Sequence, residues 1–319
     1  MNKSVVLALD IGGTNIRIAL VTEDGIVIDR SQSICRISEG RTAFLTAISS
    51  SIDEIRRSAI TSGCCIVALG AGVPGLINLS GEIISSVNLK PLDGFDLRTW
   101  LESSTGLPST ILNDANAAAV AEQNYGAGRP YRSFLHFTLG TGVGSGLVLD
   151  GKLWTGRDGV ASEYGHTTVE PEGHRCQCGN HGCLEQYASA TAISRIVKEK
   201  IGAGAKSLLS GRPIDTLDAS DVASAASAGD PLAVECFRVA GRYLGIAIAS
   251  AVNLLNLEAV IIGGGVAASF DLIEPAIRKE LELRAFSLPA SRVRVIKGEL
   301  GDNAGIIGAA ASGWKLAAG

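Results

Sequence analysis

No run of basic residues marks this 319-residue sequence, and acidic residues outnumber basic ones by 32 to 28, for a net charge of −4. A nucleic-acid ligand is held by a Lys/Arg surface that neutralises phosphates, so no nucleic-acid partner is expected. A clean apolar run long enough to cross a membrane is also lacking. The longest stretch, LGIAIASAVNLLNLEAV (residues 244–260), is punctuated by Asn253, Asn256 and Glu258 and reads as a core helix running towards a strand. The opening, MNKSVVLALDIGG, carries one lysine and an apolar run cut by Asp10, so neither a secretory leader nor an anchor is expected. Seven cysteines, an odd number without an export signal, suit reduced thiols in a cytoplasmic protein. Four of them (Cys35, Cys64, Cys65 and Cys236) are expected to be buried free thiols. What remains is ordinary globular composition, 46% hydrophobic and 19% charged, at a length that suits two domains.

Glycine, by contrast, is abundant at 39 residues, and it clusters. VVLALD-IGGTN-IRIALV-TEDG-IVIDR (residues 5–30) and SFLHFT-LGTGV-GSGLVLD-GK-LWTG (residues 133–156) share one layout. Each is a β-rich run, a Gly/Thr turn, a second run, a short polar turn and a third strand. After the first unit, apolar residues at helical spacing predict a helix over 42–60, followed by a buried strand over 64–72. After the second come a cysteine-rich segment, a helix-rich stretch over 188–254, a strand over 258–265 and a helix around 271–283. The chain therefore reads as two α/β domains opened by the same device, the product of a duplication.

Glycine lets backbone amides approach a ligand closely, and successive N–H groups converge on an anion. Thr14 and Thr141 add hydroxyl donors. Asp10, beside the first loop, would repel a phosphate unless a cation lay between them, which suggests Mg²⁺. The third cluster, IIGGGVA (residues 261–267), ends a strand where open α/β sheets bind ligands. It lacks the Lys-Ser/Thr of a P-loop. HRCQCGNHGC (residues 174–183) sets Cys176, Cys178 and Cys183 in a C-x-C-x4-C pattern that suits tetrahedral Zn²⁺, with His166, His174 and His181 all competing for the fourth place. Asn113 and Asp114 precede the strongly helical ANAAAVAEQ, so either serves as an N-cap, while Asp114 alone suits a base.

DIGGTNIR (10–17), LGTGVGSG (139–146) and the segment from Glu163 to Glu185 resemble the ROK family of sugar kinases and transcriptional repressors, over residues 5 to about 312. NLKPLDGFDLRTWLE (88–102) and NDANAAAVAEQNYGAG (113–128) look most like its bacterial glucokinase branch. The resemblance implies a two-domain actin/hexokinase-like (ribonuclease H-like) α/β fold with duplicated β-β-β-α-β-α units and a cleft between domains. The expected division is 1–113, completed by a C-terminal helix at 303–319, and 114–302 with a zinc loop at 166–183. It further implies ATP-dependent phosphorylation of a hexose, glucose first, with N-acetylmannosamine, N-acetylglucosamine or fructose as alternatives. Asp114 would be the general base, and Asn88, Asn113, Glu163, His166 and Glu185 would hold the sugar. Asp10, Gly12, Gly13, Thr14, Asn15, Gly140, Thr141, Gly142, Gly264 and Gly265 would hold Mg-ATP.

The same resemblance selects His166 as the fourth metal ligand beside Cys176, Cys178 and Cys183. Four protein ligands leave no open position, so the zinc is expected to be a structural clip on the sugar-binding segment. A homodimer is expected, as in relatives. A repressor is disfavoured because the first strand begins by about residue 4, without room before it for a DNA-reading domain. A non-catalytic sugar-binding regulator would require that Asp114 not serve as a base.

Overall fold

The computed structural model describes residues 3–318, which fall into two compact units. One takes the chain up to Pro130, Gly146–Ser162 and the segment from Asp302. The other takes Tyr131–Ser145 and Glu163–Gly301. Along the chain come β1 (Lys3–Ile11), β2 (Asn15–Val21), β3 (Val27–Ile34), α1 (Arg41–Thr61), β4 (Cys64–Val73), β5 (Leu76–Ile77), β6 (Glu82–Ser85), β7 (Phe95–Asp96), α2 (Leu97–Thr105), β8 (Ser109–Asn113) and α3 (Asp114–Tyr125). They are followed by β9 (Phe134–Leu139), β10 (Val143–Leu149), β11 (Lys152–Leu153), α4 (Glu185–Ala188), α5 (Ala190–Gly202), α6 (Ala219–Ser227), α7 (Pro231–Leu255), β12 (Ala259–Gly263), α8 (Phe270–Arg284), α9 (Ser287–Arg292), β13 (Arg294–Lys297) and α10 (Ala304–Ala318).

The duplication is visible in the sheets. The first runs β3-β2-β1-β4-β8 and the second β11-β10-β9-β12-β13, the same order twice. In the first, β2 pairs antiparallel with β1 and β3, and β4 lies parallel to β1 and β8. In the second, β10 and β11 are antiparallel, and β12 lies parallel to β9 and β13. Strands β5, β6 and β7 make a small third sheet.

Period-two alternation sorts β1 into two faces. Val5, Leu7, Leu9 and Ile11 join Phe44, Ile48, Ile52 and Ile55 of α1 in one core cluster. Val6 and Asp10 face the other way, towards α10, where a Cβ on Gly313 would lie 2.6 Å from Val6 Cγ1 and one on Gly305 would lie 2.9 Å from Asp10 Oδ2. Asp10, one residue before the end of β1, thus has its side chain aimed at the start of α10.

Helix α10 packs backbone to backbone. A Cβ on Gly308 would lie 1.7 Å from the Ala117 carbonyl of α3, and one on Gly70 of β4 would lie 1.8 Å from the Ala309 carbonyl. Gly308→Ala is therefore expected to destabilise the protein by about 1–3 kcal/mol through overpacking, despite alanine's better helix propensity. Thermal melts of the variant and the parent check this.

The same packing carries the first unit beyond the boundary expected at residue 113. Helix α3 lies on α10 and β4 and so belongs with them, through to Pro130. Residues 146–162 join them, Gly146 seating against Ala119 so closely that a Cβ would lie 2.5 Å from its methyl. Among the other cysteines, Cys35 and Cys236 are buried thiols as expected, whereas Cys64 is half-buried and Cys65 exposed. Both stand at the first residues of β4, where it leaves the turn after α1. Among the described residues, no helix is long and apolar enough to cross a membrane.

Candidate active site

In the first unit, β8 delivers Asn113 and Asp114 to the head of α3. Asn113 is the N-cap: its Oδ1 accepts from the amides of Ala115 at 2.9 Å and Asn116 at 3.1 Å, and its Nδ2 donates to the Gly75 carbonyl at 3.1 Å. Capping falls chiefly to Asn113, although Asp114 Oδ1 also accepts from the Ala115 amide at 2.9 Å. Burial pushes the Asp114 carboxyl up to about 6; the Ala115 amide opposes that rise and the negative charge of Asp10 adds to it. A carboxylate of this kind is ionised at neutral pH yet holds a proton far better than a solvated aspartate does.

Asp10 is buried, and burial also raises its pKa, against the charge and hydrogen bond of Arg17. Arg17 pairs with Asp10 Oδ2 and donates from Nη1 to the Asp302 carbonyl at 2.8 Å. The β1–β2 hairpin sets Asp10 opposite Arg17, so a cation that the sequence reading assigned only to Mg²⁺ is supplied in part by the chain. Sequence reasoning missed Arg17, although the Gly-Gly-Thr turn fixed that register.

The hairpin turn closes through the Gly12 amide on the Asn15 carbonyl at 2.8 Å, leaving Gly13 and Thr14 exposed. Asn88 flanks the turn, its Cβ 3.2 Å from where a Gly13 Cβ would stand. Asp10, the Gly12–Asn15 turn, Asn88, Asn113 and Asp114 are thus all carried by the first unit.

In the second unit, His166, Cys176, Cys178 and Cys183 bring one donor atom each to within 4.8 Å of one another. Cys178 Sγ and Cys183 Sγ are 3.6 Å apart, and Cys176 Sγ is 3.7 Å from His166 Nδ1. A tetrahedron with Zn–S bonds of about 2.3 Å has sulfurs about 3.8 Å apart, so the donor set fits zinc. His174 lies outside the group, its Nε2 3.0 Å from Arg195 Nη1, and so does His181. The fourth donor is far in sequence because Thr168 bridges to Cys183 and the Leu184 amide bonds the Thr167 carbonyl at 3.0 Å, drawing His166 onto the knuckle. His166 Nδ1 faces the sulfurs, so its Nε2 is the nitrogen left for another partner.

Glu163 caps the short turn Tyr164–His166, its carbonyl accepting from the His166 amide at 3.0 Å. Glu185 opens α4 two residues after Cys183, and its Oε2 accepts from the Val143 amide at 3.0 Å. The loop Gly140–Gly142 is tied to the start of α5 by the Ala190 amide on Gly140 O and by Thr191 Oγ1 on Thr141 O, both at 2.8 Å. Gly264 has φ +80°, and a Cβ there would lie 2.5 Å from the Leu139 carbonyl. The glycine turn after β12 therefore sits against the strand end that feeds Gly140–Gly142. Both loops selected for the nucleotide in this unit are neighbours.

The model of the ROK family matches residues 6–313. The chain belongs to the ROK family. A glucokinase of Halalkalibacterium halodurans is 38% identical over 97% of this chain and 93% of its own. Among ROK structures, the Streptomyces griseus glucokinase in complex with glucose and AMPPNP superposes with a TM-score of 0.83 at 32% identity, covering 98% of this chain and 99% of that one. A ROK transcriptional regulator, a homologue of the Escherichia coli MLC protein, superposes with a TM-score of 0.90 at 29% identity, covering 98% of this chain and 78% of its own. The ROK fold thus serves kinases and regulators alike, and the residues of the site must decide the function.

Proposed function

We propose that this ROK protein is an ATP-dependent hexokinase that phosphorylates glucose at its 6-hydroxyl. The observation that carries the reading is Asp114, a carboxylate at the head of α3 with its pKa raised to about 6, beside Asp10 and in the same unit as the Gly12–Asn15 turn. A base for a sugar hydroxyl must be ionised at working pH, and a carboxyl of this pKa is. In the reaction the sugar oxygen attacks the γ-phosphorus of Mg-ATP, its proton passes to Asp114, the bond to the β-phosphate oxygen breaks and ADP leaves. Little covalent work falls to the protein, so positioning and charge neutralisation supply most of the acceleration.

Asn88, Glu163, His166 Nε2 and Glu185 are assigned to the remaining sugar hydroxyls, which both donate and accept. Asn113 contributes less than the sequence suggests, since both acceptor sites of Oδ1 and one N–H of its amide are engaged. The exposed Gly12–Asn15 turn and the loop Gly140–Gly142 are assigned to the phosphates, and Gly264 and Gly265 to the adenosine. His166, Cys176, Cys178 and Cys183 would hold zinc as a closed, four-ligand clip that takes no part in the transfer. The names of the relatives support this reading, as does the presence of every residue it needs.

ADP release from Mg-ATP, measured with glucose, mannose, fructose, N-acetylglucosamine and N-acetylmannosamine, tests it. Glucose is expected to give the highest kcat/KM of the five. Turnover with another of these sugars alone would transfer the assignment to that sugar, and silence with all five from folded, zinc-loaded protein would refute the kinase.

A further inference from the structure

Glu185 is assigned above to the sugar, yet its best-defined contact is elsewhere. Its Oε2 accepts the amide of Val143, the residue that follows the loop Gly140–Gly142, at 3.0 Å. The approach is so close that a Cβ on Gly142 would lie 2.4 Å from that oxygen. Glycine at 142 is therefore a requirement of the carboxylate as well as of any phosphate. On the carbonyl side of the same residue, a Cβ on Gly165 would lie 2.0 Å from Val143 O, and the Tyr164 amide donates to Ser145 Oγ at 3.0 Å. The segment after Glu185 holds the loop from its other end, through Ala190 on Gly140 O and Thr191 on Thr141 O.

We propose that Glu185 is a positioning residue for the nucleotide as well as a sugar contact, one carboxylate oxygen fixing the Gly140–Gly142 loop through Val143 and the other facing the sugar. The inference rests on the functional reading above. Oε1 has no protein hydrogen-bond donor among the described residues, so it is the oxygen free to meet a hydroxyl. The loop is glycine-rich and would otherwise sample many conformations. Pinning the amide at its exit lowers the ordering cost that a bound triphosphate must meet. Because one rigid carboxylate serves both ligands, each is expected to strengthen the other by the same factor.

The test measures the affinity of sugar-free protein for Mg-AMPPNP by calorimetry, in the parent and in Glu185→Ala and Glu185→Gln. Alanine is expected to weaken nucleotide binding by about tenfold, the loss of a charge-assisted hydrogen bond worth about 1.5 kcal/mol. Glutamine, whose amide oxygen can accept the Val143 N–H, is expected to restore most of that affinity while sugar binding, measured separately, stays weakened. An alanine variant that melts like the parent and binds Mg-AMPPNP within about twofold of it would overturn the inference. Loss of nucleotide affinity equal in alanine and glutamine would overturn it too, since the amide oxygen would then replace nothing. Parent protein that binds Mg-AMPPNP but none of the five sugars would instead strike the functional reading, which the nucleotide arm does not depend on.

Discussion

Replacing Asp114 with Asn is expected to lower kcat for sugar phosphorylation by about 10²–10⁴-fold, the usual contribution of a positioned base, while glucose affinity is nearly unchanged. The amide keeps the shape and still accepts from the Ala115 amide, so the head of α3 is undisturbed. In the parent, kcat/KM is expected to fall about tenfold per pH unit below a pKa near 6, because only the ionised carboxylate accepts the proton. That limb should vanish in the Asn variant. Activity near the parental level, with the acid limb intact, would remove Asp114 from the mechanism.

The same shift makes a second statement, about stability. The carboxyl has its folded pKa raised from 3.8 to about 6, so the folded state binds the proton more tightly than the unfolded chain does. Stability therefore falls as pH rises from about 4 to about 6, and the penalty is complete above 6. Its ceiling is about 3 kcal/mol, at 1.36 kcal/mol per pKa unit. Asp114→Asn is thus expected to raise Tm at pH 7.5, with the gain shrinking towards pH 4. A catalytic loss paired with a stability gain is the signature of a strained functional group rather than of a damaged fold.

Removing the proposed zinc is expected to have the other large effect. His166, Cys176, Cys178 and Cys183 close a knuckle whose backbone is otherwise held by a few bonds, among them the Cys176 amide on Asn180 O at 2.8 Å and Asn180 Nδ2 on Thr168 Oγ1 at 2.9 Å. Structural zinc contributes on the order of 10–16 kcal/mol in isolated finger peptides, far more than such bonds supply. Chelation to verified metal-free protein is expected to weaken sugar binding by about 10–100-fold, the order of loss that removing outer-shell support costs a metal site in activity. Nucleotide affinity should fall less, since that loop is also held from α5, by the Ala190 amide on Gly140 O and by Thr191 Oγ1 on Thr141 O. Tyrosine fluorescence and calorimetry read the two arms without turnover, and an unchanged sugar affinity would sink the clip. Cys178→Ser is the genetic counterpart, because Cys178 is the exposed member of the four proposed donors and its loss disturbs no core.

Local pattern made the repeated hairpins legible: alternation along residues 5–21 and 134–149, with glycine turns between, needs no distant partner. Helix α1 was equally plain from its spacing. The fourth donor of the proposed zinc site was not, because the bridge between Thr168 and Cys183 that brings His166 in is a tertiary event, while His174 and His181 are nearer in sequence. At Asn113-Asp114 a cap and a base compete for one local signal, and the structure shows the two-amide cap on Asn113. The extent of the first unit past residue 113 was not legible locally, because it depends on α3 meeting α10, nearly two hundred residues downstream. Arg17 was overlooked even though its register was readable, since attention went to the glycines of the turn rather than to what the turn places face to face.

The grouping of Asp302 onward with the first unit has a consequence for how the chain is made. Helix α10 covers the face of β1, β4 and β8 on which Asp10 lies, and its residues are the last of the described chain to be synthesised. The unit that starts first must therefore wait until α10 has been made, holding an apolar sheet face uncovered, while the second unit, Tyr131–Ser145 with Glu163–Gly301, can complete its own core earlier. Ribosome-bound chains stopped before residue 302 should accordingly offer protease sites in β1–β4 well after the second unit has become resistant, an order of maturation opposite to the order of the sequence.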